Sequence, residues 1–197
     1  PSVKLRVRGT PGGYLAPPSG GSGYRVQGAR GERILLDCGG GVREGLARAH
    51  IDRIDALVIS HFHHDHVLDL VTILDLVDAH TQIFVPAGEA KRLDAMAQAF
   101  AFSGGFDLPG PLVEGASEAR VGDITLTFAP TQHSAPSMAT RLAEGARAPV
   151  YASYPAPCEG PRRPFRPGDT TRTHPPLPPP PTASPPPPLP RPPPPRP

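Results

Sequence analysis

The sequence predicts an α/β fold built in layers, followed by a proline-rich tail that belongs to no layer. Three observations carry this. Short apolar strands alternate with segments of helical period, and ligand-type side chains fall at strand ends, where open α/β sheets place their chemistry. The third is composition: 21 of the 31 prolines lie from Pro155 onward. The boundary is therefore set at residue 155, with a domain over 1–155 and a tail over 156–197. The closing PPLPPPPTASPPPPLPRPPPPRP cannot bury enough apolar surface to offset the entropy of ordering, so it is expected to be disordered or polyproline II.

In chain order, Lys4 to Arg8 alternates as a first strand, and GTPGGYLAPPSGGSG is a glycine- and proline-rich loop. YRVQGARGERILLDCGGG reads as a hairpin turning at Gly28 to Gly31, its second strand ending at Asp37. In VREGLARAH, Val42, Leu46 and Ala49 fall at helical spacing, and IDALVIS is a short, wholly apolar strand of the buried kind. Val67 to Ala79, VLDLVTILDLVDA, is apolar around much of its circumference and predicts one largely buried helix. TQIFVPAG is a further strand and EAKRLDAMAQAFAF an amphipathic helix. After a loop containing LPGP, DITLTFAPTQHS turns Ile124, Leu126 and Phe128 inward and delivers His133 at a strand end, and APVYAS is a last short strand.

Between the buried strand and the long helix lies SHFHHDH, with four of the chain's eight histidines. Packing four imidazoles and a carboxylate beside a buried strand strands many polar atoms, and a metal ion removes that cost by taking their lone pairs. His61 and His63, two apart on an extended segment, can converge on one ion, while Asp65 and His66 can face a second ion from the start of the helix. His64 is out of phase and points to solvent. His50, His80 and His174 read as solvated or hydrogen-bonded side chains. Imidazole and carboxylate without thiolate suit zinc, with manganese or iron as alternatives.

SHFHHDH matches the HxHxDH motif and resembles the metallo-β-lactamase superfamily. LLDCGGG is similar to that family's strand-ending aspartate and glycine turn, which implies that Asp37 orients a ligand histidine. TQHSAPSMATRL resembles the segment that carries the third histidine of the first metal site, implying His133. GTPGGYLAPPSGGSGYRV resembles the ribonuclease Z-like branch of phosphodiesterases and transfer-RNA nucleases. The likeness spans residues 3 to 153. It implies a partial αββα sandwich in which His61, His63 and His133 hold metal one, and Asp65 and His66 contribute to metal two. Asp65 is also the catalytic candidate, and the reaction is hydrolysis by metal-activated water.

The resemblance breaks after Ser153. Tyr154 stands where the family has an aspartate bridging both metals, and the family's final histidine has no counterpart. One tight zinc site and one incomplete site are therefore expected. Residues 161–197 contain no Lys, Ile, Val, Glu or Asn, a composition that GC-rich DNA encodes out of frame. Frameshift or truncation is one reading of the tail; a genuine interaction segment binding SH3-type domains is the other.

Function classes are bounded by charge and by cysteine. The net charge is +2, but residues 161–197 carry six arginines against Asp169 alone, so the first 160 residues are mildly acidic. That disfavours a broad RNA-binding surface and puts a small-molecule or other phosphodiester substrate ahead of RNA. Two distant cysteines, no apolar run of bilayer length and no signal-peptide pattern give the expectation of a cytoplasmic protein without a membrane partner. The alternative function is a catalytically inactive metal-binding remnant or interaction module.

Overall fold

A computed structural model describes residues 4–9, 21–100, 108–145, 148–152 and 170–173. Two sheets face one another. The first has the strands β1 (Lys4–Gly9), β2 (Gly23–Gln27), β3 (Arg33–Leu36), β4 (Ala56–Val58), β5 (Gln82–Val85) and β6 (Leu112–Glu114), in that spatial order. β1, β2 and β3 are antiparallel, and β3 to β6 run parallel. The second sheet contains β7 (Glu118–Val121), β8 (Ile124–Pro130), β9 (Met138–Ala143), β10 (Pro149–Ala152) and β11 (Thr170–Thr173), in the order β11-β10-β9-β8-β7.

Apart from Arg33, Gln82 and Glu114 at their ends the parallel strands are apolar, and β3, β4 and β5 are so because both of their faces are covered. Ile34, Leu36, Val58 and Phe84 point toward the second sheet and pack with Ile124, Leu126, Phe128 and Leu142. The Phe84 and Phe128 rings lie 5.1 Å apart, centroid to centroid. Leu35, Leu57 and Ile83 point the other way, into a core shared with Val42 and Leu46 of α1 (Val42–Arg48) and Leu93 of α4 (Ala90–Phe100). The result is helix, sheet, sheet: three of the four layers of an αββα sandwich among the described residues.

The segment expected as one helix over 67–79 is broken. It comprises α2 (His64–Val67), α3 (Leu70–Ile73) and a 3-10 turn at Leu74–Leu76. The carbonyls that would continue α2 are taken elsewhere: Asp65 O accepts the Ser22 N–H at 2.7 Å and His66 O accepts the Cys38 N–H at 2.8 Å. β6, β7 and β9 were not foreseen. Within the segment read as tail, Thr170–Thr173 forms β11, parallel to β10; TTRT holds β-branched residues and no proline, which fits an edge strand. The remaining residues of that segment, the SH3-type motifs among them, lie outside the described residues, as does Tyr154 just before it.

Candidate metal centre

The site forms where strands of both sheets end. β3 leads into Asp37, β4 leads into Ser60 and His61, and the chain after β8 delivers His133. Met138 N–H, at the head of β9, donates to Ser60 O at 2.9 Å and stitches the second sheet to the histidine loop. Close backbone packing holds that loop from the other side. A Cβ on Gly39 would lie 2.0 Å from Asp65 O, so only glycine lets the turn after β3 pass there.

Three imidazoles converge. His63 Nδ1 lies 3.1 Å from His61 Nε2 and 3.0 Å from His133 Nε2, and the three ring nitrogens sit within 4.8 Å of one another. One hydrogen cannot serve both contacts well, whereas a cation between them takes all three lone pairs. The spacings also approach the edge of a tetrahedron with zinc–nitrogen bonds of ordinary length, about 3.3 Å. The donor set therefore fits a divalent metal.

Protonation suits the same role. Burial first, then the neighbouring His66, pushes the His61 imidazole down to about 3, and burial followed by His63 lowers His133. Both are neutral at pH 7, as ligands must be.

Asp37 organises the tautomers. It is fully buried, with a left-handed φ of 58°. Its Oδ1 accepts the Ser60 N–H at 2.6 Å, and its Oδ2 accepts the Ser60 hydroxyl at 2.7 Å and His66 Nδ1–H at 2.6 Å. Because the Ser60 hydroxyl spends its one hydrogen on Asp37, toward His61 Nδ1, 3.0 Å away, it can only accept. His61 therefore carries its hydrogen on Nδ1 and presents a bare Nε2 to His63. Burial raises the Asp37 carboxyl, but the adjacent His66 and the hydrogen bonds outweigh it and hold the group below its ordinary value. For His66, burial lowers and Asp37 raises, with a net rise.

Asp65 and His66 make a second pair, with Asp65 Oδ2 3.5 Å from His66 Nε2. The His66 ring centroid stands 4.1 Å from that of His61. His64 is exposed, as its phase predicted. Reading the sequence missed Ser60, although it opens the SHFHHDH motif, and Ser134, whose Oγ lies 3.4 Å from His63 Nε2. It also missed Tyr151, whose hydroxyl donates to Asp37 Oδ2 at 2.5 Å.

Residues 32–155 match the family described as the beta-lactamase superfamily domain. Ribonuclease Z of Mycobacterium sp. (strain KMS) is 32% identical over 156 residues, covering 66% of this chain and 54% of that protein. The probable metallo-hydrolase YhfI of Bacillus subtilis is 28% identical over 157 residues, covering 77% and 63%. The crystal structure of YhfI, a metallo-beta-lactamase fold protein, superposes with a TM-score of 0.63 at 25% identity over 79% of this chain and 65% of that one. Human tRNase Z, short form, shares the fold with a TM-score of 0.59 at 19% identity, over 75% of this chain and 67% of its own. The chain spans about half the length of the mycobacterial relatives it matches.

Proposed function

The chain belongs to the beta-lactamase superfamily, and from that premise we propose that it is a metal-dependent hydrolase acting on a phosphodiester. The observation that carries the reading is the convergence of His61 Nε2, His63 Nδ1 and His133 Nε2 at 3.0–3.1 Å contacts. These three residues hold the cation, with zinc preferred for an imidazole set and manganese or iron as alternatives. When bound, a divalent cation supplies Lewis-acid polarisation of a phosphoryl oxygen and acidifies water.

The chain's own groups do the rest. Asp37, through Ser60 and directly, keeps the ring nitrogens of His61 and His66 in the tautomers that face the site. Asp65, an acceptor-only carboxylate beside His66 Nε2, orients water and takes its proton. Phosphodiester chemistry is supported by the similarity to the mycobacterial ribonuclease Z. The acidic balance of the first 160 residues favours a small phosphodiester over RNA. A buried free thiol, Cys38, suits a reducing compartment such as the cytoplasm. Among the described residues no helix is long and apolar enough to cross a membrane.

A second reading, a metal-binding protein without hydrolytic activity, is favoured by Tyr154 standing where the family's bridging carboxylate is expected. Asp65 and His66 alone make a weak second site, and in two-metal enzymes the second ion stabilises the leaving oxygen. Purified chain loaded with zinc or manganese separates the two by elemental analysis together with hydrolysis of bis-p-nitrophenyl phosphate. The expected result is about one ion per chain with slow hydrolysis that His61→Ala abolishes. Metal without hydrolysis selects the second reading, and absence of metal overturns both.

A further inference from the structure

Tyr151 comes to the site from the opposite sheet. It lies on β10, is nearly fully buried, and its hydroxyl donates to Asp37 Oδ2, an atom that already accepts from Ser60 Oγ and His66 Nδ1. The ring packs at 4.9 Å and 52° on Tyr24, and the hydroxyl at its other end is aimed at Asp37. The three hydrogen bonds converging on one carboxylate oxygen are unequal in origin. Ser60 and His66 lie on the histidine loop itself and shift when it shifts, whereas Tyr151 is anchored in the second sheet, where β10 pairs with β9 through Val150↔Arg141 and Tyr151↔Thr140.

We propose that Tyr151 is a positioning residue of the metal centre, locking the Asp37 carboxylate in the rotamer that sets the tautomers of His61, through Ser60, and of His66. A carboxylate with its oxygens on Ser60 alone could turn about its Cβ–Cγ bond and exchange which oxygen meets His66. The phenol removes that freedom, because its donor direction is fixed by a ring that cannot follow. The consequence lies at His61 and His66, which Asp37 links to the phenol. Hydrogen bonds to the outer side of a ligand's partner typically change metal affinity about 10- to 100-fold; one donor among four contacts to Asp37 should fall at the low end of that range.

The inference rests on the metal reading given above, and its test keeps the two apart. Zinc affinity is measured by competition with a chromophoric chelator for wild type, Tyr151→Phe and Tyr151→Leu. Histidine ring nitrogens of the metal-free proteins are followed by nitrogen-15 NMR, which distinguishes the tautomers. Tyr151→Phe keeps the packing on Tyr24 and loses only the hydroxyl. It is expected to weaken zinc binding about 10-fold and to blur the His61 and His66 signals into mixed tautomers. Both effects should vanish when Asp37→Asn is already present. Unchanged affinity and tautomers in Tyr151→Phe overturn the proposal, even if Tyr151→Leu loses zinc, because the side chain would then serve packing alone. An effect of Tyr151→Phe that persists in the Asp37→Asn background overturns it as well. A wild-type chain that binds no zinc defeats the metal reading instead, and the metal-free tautomer spectra still decide the role of Tyr151.

Discussion

Asp37 holds φ at 58°, a conformation that short polar side chains tolerate better than others, at a point where the chain must leave β3 and turn beneath the histidines. Asp37→Asn keeps that backbone preference but replaces an oxygen by a donor, which must then face the Ser60 N–H or His66 Nδ1–H as donor against donor. The expected outcome is a loss of metal affinity of about 10- to 100-fold without loss of the fold, read by chelator competition. His61→Ala and His63→Ala should each release the metal altogether, whereas His64→Ala, at an exposed position, should retain it; elemental analysis of the three proteins checks the register. The low value of His61 also gives the metal-free protein a pH dependence. Unfolded, that imidazole takes a proton near 6.5; folded, burial keeps it neutral down to about 3. Its contribution to stability is therefore complete above about 6.5 and declines as pH falls toward 3. Urea unfolding of metal-free protein across that range should show the decline, flattened in His61→Gln.

At the scale of elements, the turn Cys38–Gly40 and the start of α2 are one unit. Ser22 N–H and Cys38 N–H bind the carbonyls of Asp65 and His66, and Gly39 passes too close to Asp65 O to carry a side chain. Gly39→Ala should therefore move the HDH turn and cost both stability and metal. Because at least one backbone must shift, a destabilisation of about 1–3 kcal/mol is expected in a chemical-denaturation series. These backbone bonds also explain what the sequence could and could not reveal. Local information was enough for β2, β3, α1, β4, β5, α4 and β8, since apolar period and glycine punctuation declare them. The convergence of His61, His63 and His133 was legible because these residues are near neighbours in sequence or sit at a strand end. The break between α2 and α3 was not, because the bonds that cause it come from Ser22 and Cys38, remote in sequence. Tyr151 was hidden for the same reason: it reaches Asp37 across 114 positions, and nothing in APVYAS marks one of its residues as a donor.

On the scale of the whole molecule, the centre joins two sheets that also meet through side-chain packing and a few hydrogen bonds, such as Gln82 Nε2–H to Arg120 O at 3.0 Å. The first supplies Asp37, Ser60, His61, His63, Asp65 and His66, the second His133 and Tyr151. A metal held by His61, His63 and His133 is thus a cross-link between layers, present only when both are folded and docked. Binding to the folded state alone stabilises it by mass action, about 2.7 kcal/mol when free metal is 100 times its dissociation constant. Thermal unfolding of the wild-type chain should accordingly shift several degrees upward from chelator to zinc, with both sheets melting in one transition. His133→Ala removes the second sheet's ligand and leaves two imidazoles on one loop, so its melting temperature should be nearly the same with zinc and with chelator. His80→Ala, on the turn that leads into β5 at the end of the parallel strands opposite the site, should keep the full zinc-dependent shift. Equal shifts in wild type and His133→Ala would mean that the metal bridges nothing and sits on the histidine loop alone, and the two-sheet account of the centre would fall.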